Sequence, residues 1–357
     1  MQPEFVFRGH QAAVNCVRFF ADDRFMISGD QDGHLIVWNM LLKRQMAKAQ
    51  AAHTNAILAV CGVGADTIIS QGRDNRLCIW KLDASEFNGE LELVKTLNVD
   101  SMSFCKFSLA INEGKAWISA FDDAGSGKAF AYELSSDKRV SFNVGRQINS
   151  PNGDRQDSPM CLKLEGHYND GDSDKERLVL LVGYESTVLQ CFDLCIAVLE
   201  CSVVCRLSVK TLHTEPIMSM DYDIKNQRVY TCAADNRVCC IVLKPGFNAP
   251  EAMHDVLLRN AGSAEIRYFS SLELVAVAGW DYTAHLYTSQ LDSKTSMRFH
   301  RAALTSVDLS TQSQAYSLQI TEAAAQQRWR SRPRWLAVAS RDARISLWNI
   351  DDVTCLH

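Results

Sequence analysis

Histidine, serine and aspartate, the side chains of a hydrolytic proton relay, recur together in this chain. His10, Ser28 and Asp32 form one set and His53, Ser70 and Asp74 a second, with Trp38 and Trp80 six residues after the aspartates. A nucleophilic triad needs these residue types once, in one place. Here the pattern repeats: Asp235, Asp281 and Asp342 stand six residues before Ile241, Tyr287 and Trp348, and His213, His254 and His300 lie upstream. His10 to Trp38, His53 to Trp80 and His213 to Ile241 span 28, 27 and 28 residues. A set repeated at a steady interval reads as structure. A buried histidine needs partners for both ring nitrogens. A turn aspartate accepts from one, and a hydroxyl serves the other while accepting the indole N–H. The expected networks are His10–Ser28–Asp32–Trp38 and His53–Ser70–Asp74–Trp80. A later repeat keeps Thr231 but has Ile241 for tryptophan, and two more have Val277 and Val338 in place of serine.

The elements that hold these residues are short apolar runs between polar turns, such as Val14–Phe19, Thr67–Ser70 and Leu35–Trp38. Alternation over six residues reads as a half-buried strand. Histidine near the start and an aromatic residue at a strand end, repeated about every 40 residues, is the pattern of a WD-repeat β-propeller. Five repeats are clear. Between Asp74 and Asp235 two weaker ones fit, with Tyr132 and Phe192 in the tryptophan position. The expectation is an all-β, seven-bladed WD40 propeller forming a single domain over residues 1–357. Its approximate blades are 9–50, 51–95, 96–145, 155–205, 210–250, 252–297 and 298–350. Residues 4–8 are strand-like, and closure calls for them as the outer strand of the last blade.

A net charge of −5 argues against a nucleic-acid partner or an anionic membrane, and no run of 18 apolar residues suggests a span. The N-terminal residues lack the pattern of a secretory leader. Most of the 13 cysteines sit in apolar strand runs, as small hydrophobes of a reducing compartment. Cys191, Cys195, Cys201 and Cys205 are spaced 4, 6 and 4 apart, unlike a zinc site. Residues 122–129 resemble a phosphate loop, but Asp122 and Ala129 stand where it needs glycine and a hydroxyl. No cofactor, metal or catalytic residue is expected.

The residues just before the turn aspartates are expected at one rim: Gln31, Arg73, Ala234, Trp280 and Arg341, with Tyr184 in the matching loop. Arg73, Tyr184, Trp280 and Arg341 are of types enriched at interface hot spots. Arg328, Trp329 and Arg330, in a 310–334 insertion with a short helical stretch, form a second candidate patch.

The chain resembles the WD-repeat family of guanine nucleotide-binding protein β-subunit-like protein 1, called ASTRA-associated protein 1 in fungi. The resemblance rests on Ser70-Gln71-Gly72-Arg73-Asp74 with Leu77-Cys78-Ile79-Trp80, Pro159-Met160-Cys161-Leu162, Gly183-Tyr184-Glu185, Glu215-Pro216-Ile217-Met218, Ala278-Gly279-Trp280-Asp281 and Arg344-Ile345-Ser346-Leu347-Trp348. It departs at Gly183-Tyr184-Glu185-Ser186 and in the insertion. The resemblance implies a non-enzymatic adaptor, cytoplasmic and nuclear, working with the TTT cochaperone and the ASTRA assembly in maturation of phosphatidylinositol-3-kinase-related kinases. It implies no G-protein γ subunit, since blade one begins within ten residues. The alternative is a substrate receptor of a cullin ubiquitin ligase or another generic WD-repeat interaction module. The strand ends Trp38-Asn39, Trp80-Lys81 and Trp348-Asn349 lack the Trp-Asp-x-Arg typical of those receptors.

Overall fold

Short alternating runs become strands throughout. A computed structural model describes residues 2–83, 89–101, 103–148, 155–166, 176–197, 201–244, 246, 249–310 and 333–351. After β1 (Phe5–Arg8) come β2 (Val14–Phe20), β3 (Phe25–Asp30), β4 (Leu35–Asn39) and β5 (Arg44–Ala49). The second group is β6 (Ile57–Val63), β7 (Thr67–Gly72), β8 (Arg76–Asp83) and β9 (Glu90–Asn98), and the third is β10 (Ser108–Asn112), β11 (Lys115–Asp123), β12 (Lys128–Glu133) and β13 (Arg139–Asn143). A small hairpin, β14 (Gln147–Ile148) and β15 (Arg155–Gln156), precedes β16 (Pro159–Gly166), β17 (Glu176–Tyr184), β18 (Val188–Ile196) and β19 (Cys201–Lys210). Then follow β20 (Ile217–Asp223), β21 (Arg228–Ala233), β22 (Arg237–Leu243) and β23 (Pro250–Leu257). The last strands are β24 (Ser263–Phe269), β25 (Leu274–Gly279), β26 (Thr283–Thr288), β27 (Ser293–Arg298), β28 (Leu304–Leu309), β29 (Trp335–Ser340) and β30 (Arg344–Asn349). They make seven four-stranded antiparallel sheets and the hairpin, the fold class of a seven-bladed WD-repeat β-propeller. The expected helical stretch in the 310–334 insertion lies outside the described residues.

The chain divides into two compact units, residues 1–96 with 269–357, and residues 97–268. In the first unit, β1 pairs antiparallel with β30, Phe5 opposite Leu347 and Phe7 opposite Ile345. The start of the chain therefore supplies the outer strand of the last sheet, as closure requires. Phe7, Val17, Met26, Trp38, Ala337 and Leu347 pack into one core between the last and first sheets. A second core joins Phe20, Ile27, Val37, Ile57, Ile68 and Trp80 across the first two sheets. In the second unit, β10–β13, β16–β19 and β20–β23 form three complete sheets in sequence order. Trp117, Phe121, Leu164, Leu180 and Tyr184 pack between the first two of these, and Leu181, Cys191, Ile217, Val229 and Ile241 between the second and third.

Two local devices repeat. The leading strands β2, β6, β16, β20 and β28 each slip register one residue after their start, as between Val14 and Cys16 or Leu304 and Ser306. Such a bulge turns one side chain out of the ladder. The freed residues tie neighbouring sheets: Asn15 Nδ2 donates to Ile57 O at 3.0 Å, and Thr305 Oγ1 to Val14 O at 2.5 Å. Second, a Ser-x-Asp pair on a leading strand caps the backbone of the next one. Ser306 and Asp308 accept from the amides of Val17 and Phe19, and Ser219 and Asp221 accept from those of Ile266 and Tyr268. One turn also demands glycine: Gly33 has φ +81°, and a Cβ there would meet the His53 carbonyl oxygen at 2.2 Å.

Candidate functional site

His53 sits in the connection ahead of β6, fully buried between two hydrogen bonds. Its Nδ1 lies 2.9 Å from Asp74 Oδ1, and its Nε2 lies 2.7 Å from Ser70 Oγ, which also accepts the Trp80 indole N–H at 2.8 Å. A neutral imidazole satisfies this chain throughout: Nδ1–H donates to the carboxylate, and Nε2 accepts the hydroxyl proton. Burial holds His53 below its ordinary value, against the pull of Asp74. Burial by itself would raise the Asp74 carboxyl. Hydrogen bonds from Arg76, His53 and the Thr54 amide outweigh it and bring the group to about 2. His213 repeats the arrangement with Thr231 at 2.9 Å and Asp235 at 3.1 Å, and burial lowers it too.

In the first sheet the carboxylate differs from expectation. His10 Nε2 lies 2.7 Å from Ser28 Oγ, which takes the Trp38 N–H at 2.8 Å, but Nδ1 meets Asp30 at 2.6 Å, not Asp32. Asp32 is exposed. Asp30 stands opposite Val14, as Gly72 stands opposite Ile57. A Cβ on Gly72 would fall 2.3 Å from His53 Nδ1, so a side chain at that place is aimed at the ring. Asp30 also accepts from the amides of Asp32 and His34, leaving no role in the network for the later aspartate.

The last sheet keeps its network by another route. His300 Nδ1 lies 3.0 Å from Asp342, and its Nε2 finds Ser346 Oγ at 2.8 Å, which accepts the Trp348 N–H at 2.8 Å. Ser346 pairs with Val338, the residue in the usual serine place, so the hydroxyl has moved one strand across. In the sixth repeat, His254 is no counterpart of these histidines. It lies on β23, exposed and opposite Cys240. Arg259 stands four residues before β24, where the fastening histidines stand before β2, β6, β20 and β28. His285 on β26 instead occupies the place that Ser346 has on β30, opposite Val277, with its Nε2 3.9 Å from Asp281.

The proposed hot-spot residues separate. In the first unit, Arg73, Trp280 and Arg341 all follow the last residue of a second strand; Arg341 is exposed, Arg73 half-buried and Trp280 39% exposed. The amides of Gln31, Arg73 and Arg341 each bond back to the start of their own leading strand, at Ala13, Ala56 and Ala303. In the second unit Tyr184 is 1% exposed, and its hydroxyl donates to Val144 O at 2.5 Å. It is no surface residue. The amide that bonds back there belongs to Glu185, reaching Ser158 O, so the matching position is one residue later. A one-residue step along a strand turns a side chain to the other face. Arg328, Trp329 and Arg330 lie outside the described residues.

The sequence reading missed an ionic row around buried Asp221 in the second unit. Lys163, Asp221 and Arg267 are each the fifth residue of their strands, β16, β20 and β24. Lys163 Nζ lies 2.7 Å from Asp221 and 2.9 Å from Glu165, and Arg267 lies 3.8 Å from Asp221. Burial would neutralise both partners, yet each is held charged by the other: Lys163 is raised and Asp221 lowered. The repeated Ser-x-Asp of β20 and β28 was the available signal. Among the described residues, no group of three or more His, Cys, Asp or Glu is arranged to hold a metal ion. Burial pushes the Cys161 and Cys191 thiols up to about 12, which makes them poor nucleophiles.

Comparisons with known proteins agree with this architecture. The WD domain, G-beta repeat family matches residues 1–39. ASTRA-associated protein 1 of Verticillium alfalfae is 25% identical over 388 residues, covering 98% of this chain and 92% of that protein. Guanine nucleotide-binding protein subunit beta-like protein 1 of Mus musculus is 25% identical over 356 residues, covering 98% of this chain and 96% of that protein. The chain is similar to these WD-repeat proteins over nearly its whole length. ASTRA-associated protein 1 of Schizosaccharomyces pombe, 24% identical, also aligns over 98% of both chains. In this chain the residue after each strand-end tryptophan has a physical use. Asn39 Oδ1 accepts from the amides of Leu41 and Leu42, Asn349 from that of Asp351, and Lys81 pairs with Asp66 at 2.6 Å.

Proposed function

We propose that this chain is a non-enzymatic scaffold in an ASTRA-related protein assembly. Its WD-repeat relatives carry the name ASTRA-associated protein 1, and the likeness runs over 98% of the chain, which is the observation that carries the reading. The chemistry supports it. The recurring histidines, hydroxyls and carboxylates are occupied with one another in the buried networks at His10, His53, His213 and His300. They hold sheets together, and a fold so fastened offers loops and edges to partners.

The finer reading is an adaptor that works with TTT cochaperone subunits while phosphatidylinositol-3-kinase-related kinases mature, in cytoplasm and nucleus. It follows the family resemblance. Affinity purification of the tagged chain from native extract, followed by mass spectrometry, tests it. TTT subunits and a kinase of that class are the expected recoveries. Recovery of cullin-ligase subunits in their place would overturn the reading in favour of a substrate receptor.

A further inference from the structure

The turn between β25 and β26 carries two aromatic side chains toward solvent, Trp280 and Tyr282, 39% and 38% exposed. Large aromatic groups left in water usually serve a partner. Tyr282 is also held at φ +72°, in the left-handed region that disfavours bulky residues. The matching turn positions in the first two sheets are Gly33 at φ +81° and Asn75 at φ +61°, residue types that take this conformation at little cost. An outlier that places an aromatic ring in solvent is the kind of strain a functional surface retains.

The surroundings of this turn are cationic. Arg298, at the end of β27, sits opposite Thr283, with its guanidinium 5.9 Å from the Tyr282 ring centre. The chain then runs through His300 to exposed Arg301. His300 and the Arg301 amide are both bonded to Asp342, which fixes this connection against the turn that carries exposed Arg341. The carboxylates among them face inward. Asp342 is engaged by His300 and by the amides of Arg301 and Arg344, and Asp281 accepts from the Thr283 amide and lies beside His285. What remains outward is two aromatic rings and three guanidinium groups.

We infer that Trp280, Tyr282, Arg298, Arg301 and Arg341 form a docking surface for an acidic segment of a partner protein, glutamate- or aspartate-rich around an apolar residue. The guanidinium groups meet carboxylates in bidentate fashion, and the rings cover the apolar residue. The inference rests on the scaffold reading and names the chemistry of one of its surfaces.

Fluorescence polarisation with the full chain tests it, using a labelled peptide of glutamates around a central leucine and its glutamine analogue. The glutamate peptide is expected to bind, to weaken as salt rises, and to outbind the analogue. Equal binding of the two peptides, or binding of neither, overturns the inference. Tyr282→Asn separates docking from folding. It relieves the left-handed strain, so the melting temperature should hold or rise while affinity falls about tenfold. Unchanged affinity in that folded variant overturns the proposal, and so does unchanged affinity in Arg298→Glu with Arg341→Glu. If native extract yields the assembly equally from wild type and Tyr282→Asn, this surface is wrong and the scaffold reading stands. If wild type yields no assembly, the scaffold reading itself fails.

Discussion

The second and sixth repeats carry the same turn, Gly72-Arg73-Asp74 and Gly279-Trp280-Asp281, and use it in opposite ways. In the second, Asp74 receives His53, the Thr54 amide and Arg76, so the turn is bolted to the connection that enters its sheet. In the sixth, the entering connection brings Arg259 where His53 would stand, and Asp281 turns to the Thr283 amide and toward His285 on its own sheet. One turn is a fastener. The other presents Trp280 and Tyr282 to solvent. The two sheets thus share one strand order while differing in the residue four positions before the leading strand, His53 in one and Arg259 in the other.

The sharpest way to break this comparison is to remove the ring from each. His53→Ala removes one hydrogen bond each from Ser70 and Asp74 and leaves a cavity in the interior, which should cost about 3 kcal/mol of unfolding free energy. His285→Ala, whose Nε2 lies 3.9 Å from Asp281, should cost about 1 kcal/mol. Equal losses in denaturant melts would remove the distinction. Smaller in effect is the test of which aspartate fastens the first sheet. Asp30→Asn is expected to cost about 1–3 kcal/mol, whereas exposed Asp32→Asn should stay within about 0.5 kcal/mol. The reverse order would restore the spacing-based assignment.

Smallest is the response to pH, and its sign follows from three lowered groups. His53 and His213 are lowered in the folded chain, so the unfolded chain takes up protons first. Their contribution is complete above the ordinary value of 6.5 and declines as pH falls below it. Asp74, ordinarily 3.8 and here about 2, adds stability that is present above 3.8 and lost as pH falls through that interval. Melting temperature should hold above neutrality, fall as pH drops below 6.5, and fall again below 3.8. A profile that rises on acidification would contradict the neutral-imidazole network.

The repeat was legible because one spacing rule operates many times, and His53, Ser70, Asp74 and Trp80 obey it to the letter. It misled wherever a side chain reached the same place from a different position. Asp30 does so from two residues earlier than Asp32, and Ser346 from the strand beside Val338. Counting along a chain sees neither, because both depend on which residues lie across a ladder. Tyr184 failed by one step of the pleat, and His254 by belonging to the strand before the turn it was meant to serve. The row of Lys163, Asp221 and Arg267 comes from three separate strands at one register, and no local window contains it.

The pairing of β1 with β30 has a consequence for how the molecule is made. Phe5–Arg8 leave the ribosome long before their partner Arg344–Asn349. Until then the opening segment has no ladder to join, and when β28 to β30 do appear they present an open edge. Translation that stalls before β30 would leave a hydrogen-bonding seam ready to capture strands from neighbouring molecules, so a strand made late decides whether a strand made early is ever used.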